Sequence, residues 1–169
     1  ADPNRISGYL ELARAHAKQH NLAAAVSVLR DAVQVDSRSA ETRMALGDVL
    51  AAEGQVSEAA EEYRRGLDVE PNGGALYMRL AILSQKQKRL GEAECIYRRW
   101  INILPHDTRA HVALAQFYQS TGRAQEALTA YQHARRVDPS SGVAREALIT
   151  FYLETNRSKE AGLEIDELL

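Results

Sequence analysis

The chain has 169 residues, of which 45% are hydrophobic and 26% charged, and its formal net charge at pH 7 is −2. This composition suits one ordinary domain and gives no reason to expect nucleic-acid binding. The longest strongly apolar run, LAAAVSVL, is far shorter than the roughly 18 residues of a membrane span, so we expect no membrane insertion. The single Cys95 cannot form an internal disulfide and leaves the redox compartment open.

The prolines of the chain share one phase of a 34-residue period. Pro71, Pro105 and Pro139 follow one another at that spacing, and Pro3 lies two periods before Pro71. A fixed period of this size indicates a repeat architecture. We interpret residues 1–5 as the end of a preceding repeat or a linker, and residues 6–169 as one domain. Its repeats are 6–39, 40–73, 74–107, 108–141 and a partial one, 142–169.

Each repeat contains two runs of apolar residues with helical spacing, so the pattern predicts a helix A followed by a helix B. Between them we expect a residue that adopts the left-handed backbone conformation and ends helix A. For a lysine this conformation costs on the order of 1 kcal/mol. In chain order the turn residues are His20, Gly54, Lys88, Gly122 and Asn156, and four turns are followed by acids that suit a helix N-terminus, Glu58, Glu92, Glu126 and Glu160.

Small and large residues occupy fixed columns of the repeats, which is how closely approaching helices interlock. The eighth position is mostly Ala or Gly and the seventh is always Leu. Trp100 stands in a column of mainly small residues, and we expect it to be buried. The twentieth position is Ala25, Ala59, Ala93, Ala127 and Ala161, and the twenty-fourth is Leu29, Tyr63, Tyr97, Tyr131 and Ile165.

These repeats resemble tetratricopeptide repeats. The resemblance rests on the period, the Leu-Gly or Leu-Ala pair of helix A, the alanine and tyrosine columns of helix B, and the Asp-Pro or Glu-Pro before each new repeat. It implies an all-α fold, an α-solenoid of antiparallel helix pairs in a right-handed superhelix. It also implies a concave groove, lined by helix A, that binds a protein or peptide. In style the chain is most similar to bacterial scaffold arrays.

Residues that could carry chemistry are few. His16 and His20 are four positions apart, a spacing that can chelate a metal, but no third ligand is evident. Cys95 lacks a paired histidine, and its place on helix B favours a packed or half-buried side chain. The chain has no glycine-rich phosphate loop and no nucleophile-elbow motif. The sequence therefore predicts no enzyme, no catalytic residue, no cofactor and no metal site.

The residues at the fifth position of the four full repeats are apolar, namely Leu10, Met44, Met78 and Val112. They predict an apolar line along the groove, since solvated faces seldom carry such a line and methionine suits an adaptable surface. Arginines are expected to border this line with positive charge. The alternative is that the apolar residues simply pack between neighbouring A helices. The predicted partner groove comprises Leu10, Arg14, Met44, Asp48, Ala75, Met78, Arg79, Ile82, Arg109 and Val112.

The expected function is a non-enzymatic scaffold that binds a protein or peptide in this groove, as a fragment of a longer array. The third and fourth repeats hold ten basic and five acidic residues, which favours an amphipathic helix with acidic flanks as the partner. Apolar residues around Ile165, Leu168 and Leu169 would allow self-association. The alternative is a regulatory or substrate-recruiting arm of a larger enzyme, or of a bacterial secretion or polysaccharide export complex. A soluble chain of this kind fits the cytoplasm or the periplasm.

Overall fold

A computed structural model describes the backbone of residues 3–166 and the side chains of residues 5–166. The regular structure of this part of the chain is entirely α-helical, which confirms the expected all-α class. The chain divides into two compact units, unit 1 with residues 1–93 and unit 2 with residues 94–169, and the boundary lies inside the sixth helix. The ten helices of the described residues are α1 (Pro3–Lys18), α2 (Leu22–Val35), α3 (Ala40–Glu53), α4 (Val56–Val69), α5 (Gly74–Lys86), α6 (Leu90–Ile103), α7 (Thr108–Ser120), α8 (Ala124–Val137), α9 (Gly142–Glu154) and α10 (Ser158–Asp166).

Odd-numbered helices are the A helices of the repeats and even-numbered helices are the B helices. Helices α3, α5, α7 and α9 each begin at the first residue of a repeat as the sequence was divided. Helix α1 instead begins at Pro3, so Pro3–Arg5 are helical and continuous with helix A of the first repeat. Proline suits the first helical turn because its missing N–H would have no partner there. Ala1 and Asp2 lie outside the described residues.

The turns between helix A and helix B are all left-handed, as the sequence predicts. The φ angles are 59° at His20, 60° at Lys88 and 59° at Asn156, with 87° and 76° at Gly54 and Gly122. Each turn satisfies the last carbonyls of helix A through the same pair of backbone bonds, such as Gln55 N–H to Leu50 O at 2.9 Å. The predicted acids also lie in the first turns of α4, α6, α8 and α10.

The small and large columns interlock inside the repeats. The column of alanines on the B helices is buried throughout. At Gly47 of α3 an added Cβ would overlap the ring of Tyr63 on α4, so only glycine allows this approach. Leu12 is the exception in its column, because it is 48% exposed while its four counterparts are buried. Within the described residues α1 contacts α2 and α3, and the exposed Leu12 is covered by neither helix.

Two further side chains on α6 bear on the expectations from sequence. Trp100 is buried, with 1% of its surface exposed, as expected. Cys95 is exposed, and the expectation of a half-buried side chain is wrong. The reason is its column, which is exposed on every B helix of the described residues and therefore faces solvent.

Candidate binding clefts

The first cleft lies between the A helices of unit 1, and we name it the A-side cleft of unit 1. It has a volume of about 450 Å³ and is walled by Ala51 and Ala52 of α3 and by Ile82 of α5, which is 40% exposed. Across it, Arg79 Nε donates to both carboxylate oxygens of Asp48, at 2.6 and 2.8 Å. This ion pair connects α3 to α5, so the cleft has a polar floor beside an apolar wall.

Tyr63 of α4 completes the polar floor of this cleft. Its hydroxyl donates to Asp48 Oδ1 at 2.8 Å. Burial, and then the hydrogen bond to Asp48, raise the pKa of the Tyr63 phenol. The phenol is therefore a neutral hydrogen-bond donor at physiological pH, and it holds the Asp48 carboxylate in place for Arg79.

Only some of the predicted groove residues of unit 1 line this cleft. Asp48, Arg79 and Ile82 line it, whereas Met44 and Met78 are half-buried on the same helices and do not. The remaining predicted residues of unit 1 are a half-buried Leu10, an exposed Arg14 and an exposed Ala75. Lys86 also lines the cleft, although the sequence pattern did not place it in the groove. It occupies the same repeat position as Ala52.

The corresponding A-side cleft of unit 2 has about 510 Å³ between α7, α8 and α9. Val112 lines it but is buried, so it forms the floor rather than an exposed anchor. The Tyr131 hydroxyl donates to Gln119 Oε1 at 2.7 Å, and the Gln119 amide donates to Glu154 of α9. This cleft is therefore more polar than the A-side cleft of unit 1.

The three arginines expected to border the groove all pair with acids. Arg14 contacts Glu11 at 2.5 Å, and Arg109 contacts Asp107 at 2.9 Å, like the Arg79–Asp48 pair described above. Paired arginines offer less net positive charge to a partner than the sequence suggests, because each charge is already partly compensated.

A cleft on the opposite side of unit 1, the B-side cleft of unit 1, lies between α2, α3 and α4 and measures about 350 Å³. Its centre is the carboxylate of Glu62. Arg43 Nη1 donates to Glu62 Oε2 at 2.8 Å, and Arg65 Nη1 donates to Oε1 at 3.0 Å. The side chains of Arg43 and Glu62 are each only 11% exposed, so this ion pair is largely buried.

The B-side cleft of unit 2 lies between α6, α7 and α8 and measures about 780 Å³, more than twice the volume of its counterpart. His111 and His133 stack in it, with ring centroids 4.6 Å apart. The His111 Nε2 lies 2.9 Å from the carbonyl oxygen of Pro105. A carbonyl oxygen can only accept, so Nε2–H donates and, in the neutral ring, Nδ1 is the acceptor nitrogen.

The sequence analysis did not single out the B-side cleft of unit 2. The signal was nevertheless present as a change in three columns, where Arg43, Glu62 and Arg65 become His111, Ala130 and His133 two repeats later. Between residues 3 and 166, no group of three or more His, Cys, Asp or Glu is arranged to hold a metal ion. None of the helices in that range is long and apolar enough to cross a membrane.

Sequence comparison identifies the family. Models of tetratricopeptide repeats match residues 10–68, 50–117 and 108–141. The chain belongs to the tetratricopeptide repeat (TPR) family. Proteins of this family bind protein or peptide partners, and no curated protein sequence matches this TPR chain closely enough to serve as a relative.

Solved structures confirm the TPR α-solenoid fold. MamA 41-end from Desulfovibrio magneticus RS-1 is similar with a TM-score of 0.65 and 18% identity, over 99% of this chain and 94% of that one. Pseudomonas aeruginosa PilF gives 0.69 and 20%, over 95% and 73%. YrrB, described as a TPR protein with an unusual peptide-binding site, gives 0.57 and 20%, over 94% and 81%. At these identities the likeness shows the fold alone, and with the family it supports a role in protein–protein interaction.

Proposed function

We propose that this TPR chain is a non-enzymatic scaffold whose A-side cleft of unit 1 binds a segment of a partner protein. The observation that carries the proposal is the exposed Ile82 beside the Asp48–Arg79 ion pair, in an open cleft of about 450 Å³. An apolar wall with a few fixed polar groups is the usual composition of a binding cleft. The ion pair holds α3 and α5 in place before the partner arrives, which reduces the ordering cost of binding.

The chemistry of the cleft suggests the kind of partner. Ala51, Ala52 and Ile82 would receive an apolar anchor, as in the helix-in-groove mode of recognition. Asp48 and Arg79 compensate each other, so we assign the acidic flank of the partner to the exposed Lys86. An amphipathic helix with apolar anchors followed by an acidic residue fits both features.

A peptide-display library selected on the full chain tests the proposal. Peptides that bind should lose affinity about 30-fold or more with Ile82→Glu, because a charge would replace a central apolar contact. Ile82 is 40% exposed, so the variant should keep the fold. Leu90→Glu is the matched control, since Leu90 is an equally exposed apolar residue of unit 1 outside the cleft. Equal binding by both variants in fluorescence polarisation would exclude this cleft as the site.

The self-association expected from the sequence also remains a proposal. On α10, Leu163 is 66% exposed and Ile165 is exposed as well, while Leu168 and Leu169 lie outside the described residues. Exposed apolar residues of this size favour association. A double change, Leu163→Glu with Ile165→Glu, should shift the sedimentation coefficient of the protein toward the monomer value, and an unchanged coefficient at every concentration would contradict the proposal.

A further inference from the structure

The two B-side clefts are built from equivalent positions two repeats apart. All the residues that line the unit 1 cleft have counterparts lining the unit 2 cleft, for example Arg30 with Arg98, and Leu46 with Leu114. The two clefts differ at Glu62, whose carboxylate lies between two cations in unit 1. Unit 2 has the small Ala130 in place of Glu62, and the stacked His111 and His133 line the same cleft.

Glu62 shows what this position holds when it is filled. Its carboxylate receives hydrogen bonds from Arg43 and Arg65 and is largely buried. The pattern recurs at Glu164 of α10, the next glutamate in the same column, which receives a hydrogen bond from Arg135 at 3.2 Å. A carboxylate from this column therefore pairs with an arginine at both Glu62 and Glu164.

Ala130 leaves the equivalent position in unit 2 without a carboxylate. The groups that could receive one are still present, because His111 takes the column of Arg43 and His133 takes the column of Arg65. His111 even keeps the second role of Arg43, since both donate to a carbonyl of the preceding loop, Pro105 O and Ser37 O. The stacked imidazoles and a larger volume thus take the place of the ion-paired group of unit 1.

We propose that the B-side cleft of unit 2 binds a glutamate side chain of a partner protein, whose carboxylate accepts hydrogen bonds at the edges of the stacked His111 and His133 rings, as the Glu62 carboxylate accepts them from Arg43 and Arg65. The methylene groups of this glutamate and an apolar neighbour in the partner pack on Ile101 and Leu114, which line the same cleft. A protein segment is the occupant because the internal example is itself a glutamate on a helix, with its carboxylate buried beside apolar residues. This site is distinct from the A-side clefts.

The charged groups around the cleft decide how it responds to pH. On α6 and α7, Arg98 and the Tyr118 hydroxyl bind Glu94, and on α8, Glu126 pairs with Arg123. The charges of these groups compensate one another. Arg136 of α8 is a further charge that acts on His133.

Burial, and then His111 and Arg136, lower the pKa of His133, so its neutral form is favoured near pH 7 without a bound carboxylate. A bound carboxylate favours the protonated form of His133. Binding therefore takes up a proton and strengthens as the pH falls through about 6.5, the ordinary histidine pKa, toward the lowered pKa of His133.

The first test uses the full chain and the tripeptide acetyl-Leu-Glu-Leu-amide at millimolar concentration. The imidazole NMR signals of His111 and His133 should shift, and the pKa of His133 should rise. The matched acetyl-Leu-Gln-Leu-amide should bind about tenfold more weakly, because it lacks the charge that strengthens a hydrogen bond to imidazolium. Equal binding of the two tripeptides, or no shift with either, would overturn the proposal. Equal affinity for free isovalerate would overturn it too, by assigning the site to a small carboxylate.

The second test fills the cleft from within. Ala130→Glu should place a carboxylate in the cleft as in unit 1, raise the pKa of His133 by about one unit and abolish binding of the glutamate tripeptide. Ala130→Gln is the matched control, which occupies the same volume without charge and should leave the pKa of His133 unchanged. If the glutamine variant raises this pKa equally, a carboxylate is not what the two histidines receive. The titration of the unmodified chain keeps the proposal testable if either variant folds poorly.

Discussion

The B-side clefts of the two units are made by equivalent helices two repeats apart, yet the cleft of unit 1 measures about 350 Å³ and that of unit 2 about 780 Å³. In unit 1, Glu62 joins Arg43 and Arg65 into one ion-paired group. In unit 2, the same three columns leave an open cleft with a stacked histidine pair. The repeat fixes the backbone, while a few columns decide whether an ion pair narrows the cleft or leaves it wide.

A similar contrast exists between the A-side clefts. Gly47 admits the ring of Tyr63, whose hydroxyl binds Asp48. The counterpart of Gly47 in unit 2 is an alanine, and there the hydroxyl of Tyr131 binds Gln119 instead. The identity of one small residue thus accompanies a change in which polar group the tyrosine fixes.

The largest effect is expected at Trp100, whose counterpart two repeats earlier is the small and equally buried Ala32. Trp100→Ala should lower the free energy of unfolding by about 3–5 kcal/mol, because it leaves a cavity in unit 2. Urea denaturation measures this loss. Ile103→Ala on the exposed side of the same helix should change the value by only about 0.5 kcal/mol. Water-like emission and ready iodide quenching of the single tryptophan would show that the ring is not buried.

The next largest loss of stability is expected when Glu62 of the narrower unit 1 cleft is replaced by alanine, the residue found at the same position in unit 2. Glu62→Ala should lower the free energy of unfolding by about 3 kcal/mol, since it leaves the buried Arg43 without its carboxylate. The matched change Glu61→Ala removes an exposed partner of Arg65 and should cost less than about 1 kcal/mol. Equal losses of unfolding free energy for the two variants in urea denaturation would mean that the buried Glu62 ion pair does not stabilise the fold.

Gly47→Ala makes the A-side column of unit 1 match that of unit 2. The added Cβ overlaps Tyr63, at a cost of about 1–3 kcal/mol, while the better helix propensity of alanine returns about 1 kcal/mol. We expect a net loss of about 1 kcal/mol in thermal or urea unfolding. Gly8→Ala is the control in a helix with open space, and it should stabilise the protein. A stabilising Gly47→Ala would show that the ring moves aside without cost.

The turns provide a smaller test, because Lys88 adopts a left-handed conformation that Gly54 adopts in the preceding repeat. Lys88→Gly should raise the free energy of unfolding by about 0.5–1 kcal/mol through relief of that conformation. The reverse change, Gly54→Lys, should lower it by a similar amount. Both values come from urea denaturation, and a destabilising Lys88→Gly would contradict the strain assigned to this turn.

The smallest effect concerns pH. The folded state lowers the pKa of His133, so the unfolded chain binds more protons once the pH falls below about 6.5. Stability should therefore decline as the pH drops through that value, and His133→Gln should weaken the decline. Arginine side chains in general keep their charge over this pH range, so Arg65→Gln should leave the slope of the urea midpoint against pH unchanged. Identical slopes for the unmodified chain and His133→Gln would exclude the histidine as the source.

The sequence by itself determined the repeat, the helix pairs and their turns. Pro71, Pro105 and Pro139 mark the loops before new A helices, because proline interrupts helix hydrogen bonding. The turn residues were identified even at His20 and Lys88, since the column required a left-handed residue there. These features depend on local backbone preferences and on a period that is visible in one dimension.

Tertiary packing decided which side chains of each column are buried and which partners they contact. The sequence placed Arg79 on a groove but did not show that Asp48, 31 positions earlier, would pair with it. Val112 became a buried floor and Cys95 an exposed residue, because burial depends on which neighbouring helix covers each column. His111 and His133 acquire their relation only because α7 and α8 bring their columns into one cleft, through contacts between residues distant in the chain.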